Sequence, residues 1–265
     1  EYYNDLNATG EYDESEEYID PSILGVGTNW QDAIFRTAFQ HQHQVSVTGG
    51  SDKVHYYISG GFMKQDGTII GSNFKRLSIR ANVDAELNKW MKVGFNLMYS
   101  KTDERLLKAD QDEGVINYAL TTPPNIQIYN IDGGYSSISK EGFTNPNPIA
   151  MALMNDILLD RQKINGNIFM DIVPYFEKIT WHTELGYDLE WSKGEVYEPM
   201  VSLGTYTRTS NTSQMNKKSN KFWQAKNYLT WADNLFETDS YTIMVGHEAW
   251  ESKYDYMNMT GTNLP

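Results

Sequence analysis

The sequence contains no cysteine, and its longest apolar runs extend over only a few residues. The first absence removes disulfide frameworks, thiolate metal sites and cysteine nucleophiles together. The second excludes a transmembrane helix, and the opening residues do not read as a signal peptide. Basic residues are also in deficit: 22 Lys and Arg stand against 35 Asp and Glu, a formal charge of −13. Such a surface repels phosphate backbones, so nucleic acid is not an expected partner. The mean hydropathy of −0.57 is that of a water-soluble chain. It still allows a membrane barrel, whose strands are only half apolar and whose loops are polar.

What the sequence has in quantity is alternation. In Phe74 to Ser100, Leu77, Ile79, Ala81, Val83, Ala85 and Leu87 point one way. Arg76, Ser78, Arg80, Asn82, Asp84 and Glu86 point the other. After a turn at Asn88-Lys89 the apolar face continues through Val93, Phe95, Leu97 and Tyr99. A period of two over this length predicts paired strands with one apolar and one wet face. Each strand reads as about 12 residues, against roughly 5 to 6 in ordinary globular sheets and about 9 to 11 for a tilted bilayer span.

Six more strands follow the same pattern: Gln42–Gly49, Val54–Lys64, Lys163–Val173, Ile179–Trp191, Phe222–Ala232 and Ser240–Trp250. A short helix or turn is expected at Thr28–Thr37, and short helices at Gly114–Leu120, ended by a Thr-Thr-Pro-Pro breaker, and at Asn145–Asn155, opened by Asn and Pro. Residues 1–41 form an acidic, Tyr-rich lead-in. The remainder, 42–265, is the strand region, with long loops at 102–160 and 192–220; the tract Arg208–Asn220 reads as loop from its polar composition.

Connections sort by parity. Turns after the first, third, fifth and seventh strands are tight, and those after the second, fourth and sixth are long. Outer-membrane barrels have this asymmetry, with short turns on the periplasmic side and long loops outside. The aromatics agree: Trp90, Trp181 and Trp231 fall beside the tight turns, and Tyr99, Trp191 and Trp223 beside the long loops. Trp181 and Trp191 would stand roughly 25 Å apart across a tilted strand, the height of the apolar band. On this reading both ends of the chain lie outside the cell, as expected for an internal piece of a barrel. The competing readings are a soluble aromatic-rich glycan-binding β-sheet and a small-barrel enzyme.

Catalytic and metal motifs are weak. Asp110, Asp112 and Glu113 suggest a calcium loop but lack the later ligands of that motif. His41 and His43 share a face without a third ligand, which reads as a surface histidine pair. Neither a Ser/His/Asp constellation nor a cofactor motif is present, so no enzyme activity and no cofactor are expected. Ser46, Thr48, Arg76, Arg80, Asp84, Glu86 and Glu184 are the lumen-facing candidates.

The segments TNWQDAIFRT and HQVSVTGGSDKVHYYISGGFMKQDGTIIGSNFKRLSIRANVDAELNKWMKVGFNLMYS resemble the start of the barrel in SusC/RagA-type TonB-dependent outer-membrane transporters. The likeness continues through ALTTPPNIQIYNIDGGY, TNPNPIAM and INGNIFMDI and covers about Thr28 to Trp250. It implies an all-β fold: a curved antiparallel meander of about eight long strands, roughly the second to ninth of a plugged 22-stranded barrel, with short helices in long extracellular loops. It further implies import of oligosaccharides or peptides, capture by a SusD-like surface lipoprotein, and energy from TonB acting on a plug that this sequence does not contain.

Overall fold

The computed structural model describes residues 26–109, 114–136, 145–174, 178–234 and 239–264. They form two compact units. The larger comprises Thr37–Leu107, Asn155–Pro199 and the chain from Ser210 onward. It is one eight-stranded sheet in which every neighbour is antiparallel: β1 (Gln40–Gly50), β2 (Val54–Asp66), β3 (Asn73–Asn88), β4 (Met91–Leu106), β5 (Asp156–Ile172), β6 (Ile179–Glu198), β9 (Thr212–Asn234) and β10 (Ser240–Thr262). Between β6 and β9 the chain makes a separate two-stranded hairpin, β7 (Val201–Leu203) and β8 (Tyr206–Arg208).

Register turns the alternation of single strands into two faces of one sheet. Val47, Ile58, Ala81, Leu97, Gly166, Tyr187 and Trp223 are successive cross-strand partners. One residue along each strand, the row is Ser46, Ser59, Arg80, Met98, Asn165, Asp188 and Phe222. A slip of one position anywhere would mix the two sets.

Among the described residues nothing forms a covering layer over the apolar face. Val45 is 71% exposed, Leu185 60% and Val245 71%, and Ile58, Ile79, Phe95, Ile168 and Leu229 are exposed with them. All buried hydrophobic residues among those described, from Trp30 to Leu203, belong to the other unit. A sheet with this much apolar surface and no dry interior is stable only where the surrounding medium is itself apolar. The competing reading of a soluble sheet finds no second layer over this face among the described residues.

Six strands run past the ends of their alternating stretches. β4 continues to Leu106, β5 starts at Asp156, β6 reaches Glu198, and β9 and β10 extend from Thr212 and to Thr262; β3 is likewise longer at its start. The tract Arg208–Asn220, read from composition as loop, is thus corrected: from Thr212 it is strand, paired to β6 on one side and β10 on the other. Its cause is backbone pairing on both edges. Period two is absent there because both faces are polar.

The smaller unit comprises the segment ending at Arg36 together with Lys108–Met154 and Met200–Thr209. Its helices are α1 (Trp30–Ile34), α2 (Val115–Thr121) and α3 (Pro148–Met154), close to the three expected positions. Asn147 organises it. Its side-chain oxygen accepts from the N–H groups of Ile149 (3.0 Å) and Ala150 (3.3 Å), capping α3, while its Nδ2 donates to the carbonyls of Ile128 (2.9 Å) and Ser136 (3.2 Å). Ala150, Val201 and Leu203 form a small core with Tyr135, Met154 and Tyr206. Trp30 Nε1 donates to the Pro123 carbonyl at 3.0 Å, and Thr28 Oγ1 to that of Ile126 at 2.6 Å.

Candidate functional site: the polar face of the sheet

Parity and register place Arg76, Arg80, Asp84, Glu86 and Glu184 on one face, the polar one. Ser46 and Thr48 share it. The structure does not gather these residues into one cluster. Arg76 and Arg80 lie along β3 beside an open cavity of about 270 Å³ lined also by Gln44, Tyr57 and Met98. Their guanidinium groups approach sulfur, Arg76 that of Met63 at 3.8 Å and Arg80 that of Met98 at 3.6 Å. Among the described residues neither arginine has a carboxylate within ion-pair distance. Glu86 lies directly opposite Lys92, and Asp84 lies between His55 and Gly94.

Glu184 belongs to a connected network. Its Oε2 accepts from Asn167 Nδ2 at 2.9 Å, and its Oε1 lies 3.6 Å from Lys226 Nζ. Asn167 Oδ1 in turn accepts from Asn96 Nδ2 at 2.7 Å. His182 Nδ1 pairs with Asp171, and its ring is stacked between Tyr228 at 4.5 Å and Phe169 at 6.0 Å. Farther along the strands Arg161 reaches Glu190 (3.7 Å) and Glu104 (4.0 Å), and Lys163 reaches Asp188 (3.0 Å). This face is therefore a wall of fixed, mostly compensated charge. It can hydrate and position a polar solute, and among the described residues it sets no nucleophile beside a general base and an oxyanion site.

Asn96, Asn167, His182 and Asp171 were not singled out in the sequence. Strand phase gives the face of each, but Asn96 meets Asn167 only through the register across the connection from Leu106 to Asp156. Tyr99, Trp181, Trp191, Trp223 and Trp231 all lie on the apolar face, and Trp90 is exposed in the β3–β4 turn. Trp231 meets the Tyr241 ring edge-on at 5.5 Å, and Trp223 Nε1 donates to Glu251 Oε2 at 3.0 Å. His41 and His43 are neighbours with ring centroids 5.2 Å apart; no group of three or more potential metal ligands occurs among the described residues. Asp110, Asp112 and Glu113 lie outside the described residues.

Long antiparallel neighbours, one face apolar and uncovered, the other polar and cross-linked, together make a section of the wall of a transmembrane β-barrel. No family model matches the chain. Individual proteins do. TonB-dependent receptor P3 of Formosa agariphila is 29% identical over 241 residues, 88% of this chain and 23% of that protein. TonB-dependent receptor SusC of Bacteroides thetaiotaomicron is 27% identical over 253 residues, 86% of this chain and 24% of that protein. The solved structure of the RagAB peptide transporter matches with a TM-score of 0.77 over 97% of this chain and 30% of its own; at 23% identity this is a likeness of fold. The chain is thus similar in sequence to proteins named TonB-dependent receptors, SusC among them, and it spans about a quarter of the length of the curated relatives it matches.

Proposed function

We infer that this chain is part of the barrel wall of an outer-membrane importer of oligosaccharides or peptides, driven through TonB and served by a SusD-like surface lipoprotein. The observation that carries the reading is the uncovered apolar face: Leu185, Val245 and their neighbours need hydrocarbon around them, and a barrel supplies it. Arg76, Arg80, Asp84, Glu86 and Glu184 then face the lumen, and Trp90, Tyr99, Trp181, Trp191, Trp223 and Trp231 mark the two membrane interfaces. The relatives named as TonB-dependent receptors support import, and none of those names denotes an enzyme. Of the two cargo classes, peptide has the support of the solved neighbour's name, a peptide transporter, and oligosaccharide that of the resemblance to SusC/RagA-type transporters.

The test is uptake. A host lacking the gene that encodes this chain is supplied with labelled oligosaccharides and, separately, labelled oligopeptides. Loss of uptake of one class, restored by the intact gene and not by one lacking its TonB-contacting segment, supports the reading. Unchanged uptake of both, together with no lipoprotein co-purifying with the tagged protein, contradicts it.

A further inference from the structure

Four aromatic rings outside the two interface sets line up on β9 and β10: Phe222, Trp250, Tyr254 and Tyr256. They have the parity of the polar face, since Phe222 stands opposite Asp188 just as Lys226 stands opposite Glu184, and the even positions of β10 face the even positions of β9. Trp250 lies opposite Gln224, Ser252 opposite Phe222, Tyr254 opposite Asn220 and Tyr256 opposite Lys218. The rings thus occupy four consecutive steps of one face, about 20 Å from first to last. Trp250 is 63% exposed, more than any other tryptophan among the described residues, and Tyr254 is 62% exposed. A further strand beside β10 would lie next to these rings, not over them. Phe222 meets Trp250 at 6.3 Å with their planes 33° apart, and the Tyr256 hydroxyl donates to Asn216 Oδ1 at 3.0 Å while Lys218 Nζ lies 5.9 Å from its ring centroid.

Beside the rings stand the carboxamides of Gln224, Asn220 and Asn216, each offering donors and an acceptor. The charges around them are answered: Asp188 pairs with Lys163 at 3.0 Å, Glu190 with Arg161 at 3.7 Å, and Glu248 stands opposite Lys226. A row of exposed ring faces flanked by amides selects a ligand that is uncharged, apolar on one side and rich in hydroxyls at its edge. A pyranose has that construction. Its C–H face carries the positive partial charge that the negative face of an aromatic ring attracts, and its hydroxyls both donate and accept. Successive rings along the strand repeat the contact for successive units of a chain. An extended peptide asks instead for an unpaired strand edge, which the face of a sheet does not offer. Phe222 is also the chain neighbour of Trp223, so the row starts level with the interface beside the long connections and runs away from the membrane.

We propose that Trp250, Phe222, Tyr254 and Tyr256 form a stacking ladder for a neutral linear oligosaccharide at the outer mouth of the lumen. This rests on the reading above, that the polar face lines the lumen of an importer, and it selects the glycan from the two cargo classes.

The experiment presents the full-length protein, in a detergent without a sugar head group, to an array of neutral linear oligosaccharides of increasing length in α and β linkage, and to an array of oligopeptides. The expected result is retention of an oligosaccharide series with affinity rising with chain length, about tenfold weaker in Trp250→Ala or Tyr254→Ala and restored in Trp250→Phe or Tyr254→Phe. In Tyr256→Ala the gain with length should stop at a shorter oligosaccharide, a change that poor folding would not produce. Folding of each variant is checked by its heat-modifiable migration. Retention of no oligosaccharide overturns the proposal, as does retention that ignores all three rings. A Trp250→Ala protein that holds sugar as the wild type does, but no longer co-purifies with a surface lipoprotein, overturns it by making the row a protein contact. Peptides held through the same rings would refute the glycan and leave the importer reading standing; labelled cargo of both classes still entering cells that lack the gene would refute the importer reading itself.

Discussion

Glu184 and Leu185 are chain neighbours that meet opposite surroundings: the Glu184 side chain is 18% exposed and held by Asn167 and Lys226, while Leu185 is 60% exposed with nothing over it. In a water-soluble sheet the apolar member of such a pair is the covered one. Here the order is inverted.

A charge at Leu185 should therefore be intolerable and a neutral group at Glu184 acceptable. Leu185→Arg is expected to cost ~2–4 kcal/mol of membrane assembly, whereas Glu184→Gln costs roughly 1 kcal/mol through its weakened hydrogen bonds. The fraction of heat-modifiable, folded protein in outer-membrane preparations reads both. Equal losses would show that the faces are assigned wrongly.

Gly94 is a packing requirement on the polar face. A Cβ there would lie 2.5 Å from the Phe169 ring and 3.0 Å from the Val83 carbonyl oxygen. Gly94→Ala must push Phe169 off its stack with His182, at a cost of about 1–3 kcal/mol. Adding Phe169→Leu should recover part of the loss. Unfolding midpoints of the two variants in detergent provide the comparison, and an unshifted Gly94→Ala would refute the close approach.

Asn147 is buried with four hydrogen bonds made. Asn147→Ala removes the partner of the Ser136 carbonyl and of two N–H groups of the smaller unit, worth about 1–3 kcal/mol each where water cannot replace it, while the Ile128 carbonyl keeps its bond from the Ser136 N–H. Hydrogen exchange at Ile149, Ala150 and Ser136 should accelerate, with the eight-stranded sheet unaffected. Uniform acceleration across both units would instead mean that they unfold together.

Burial, and secondarily the nearby Tyr129, pushes the Tyr135 phenol above its ordinary value. A raised value in the folded state means that its stabilising contribution is complete below the unfolded value of about 10 and is lost as pH rises through the folded one. The smaller unit should loosen in alkali above about pH 10, and Tyr129→Phe should lower the Tyr135 titration toward normal. Ultraviolet titration of tyrosinate in wild type and Tyr135→Phe measures it; a titration of Tyr135 at the ordinary value contradicts the burial argument.

Much of the sheet was legible because its two environments differ: wherever one face meets hydrocarbon and the other water, the chain must alternate, as from Leu77 to Leu87 and from Ile179 to Trp191. Where both faces are polar, that constraint disappears. Strand from Thr212 to Asn220 was consequently read as loop, although Lys217 and Lys218 are paired on both edges. Pairwise contacts were least visible. Phase assigns Asn96, Asn167 and Glu184 to one face, but which of them touch depends on register across long connections.

The central claim is that the apolar face looks into lipid, and single-cysteine labelling within this chain, which has no cysteine of its own, measures it directly. Single cysteines placed in turn at each position from Trp181 to Trp191 of the full-length protein, spin-labelled and reconstituted in bilayers, report collision with oxygen, which concentrates in lipid, and with a water-soluble nickel chelate. Odd positions should favour oxygen and even positions should not, with the strongest contrast between Leu185 and Glu184. Labels at odd positions that meet neither probe, as they would inside a dry protein core, would contradict the account.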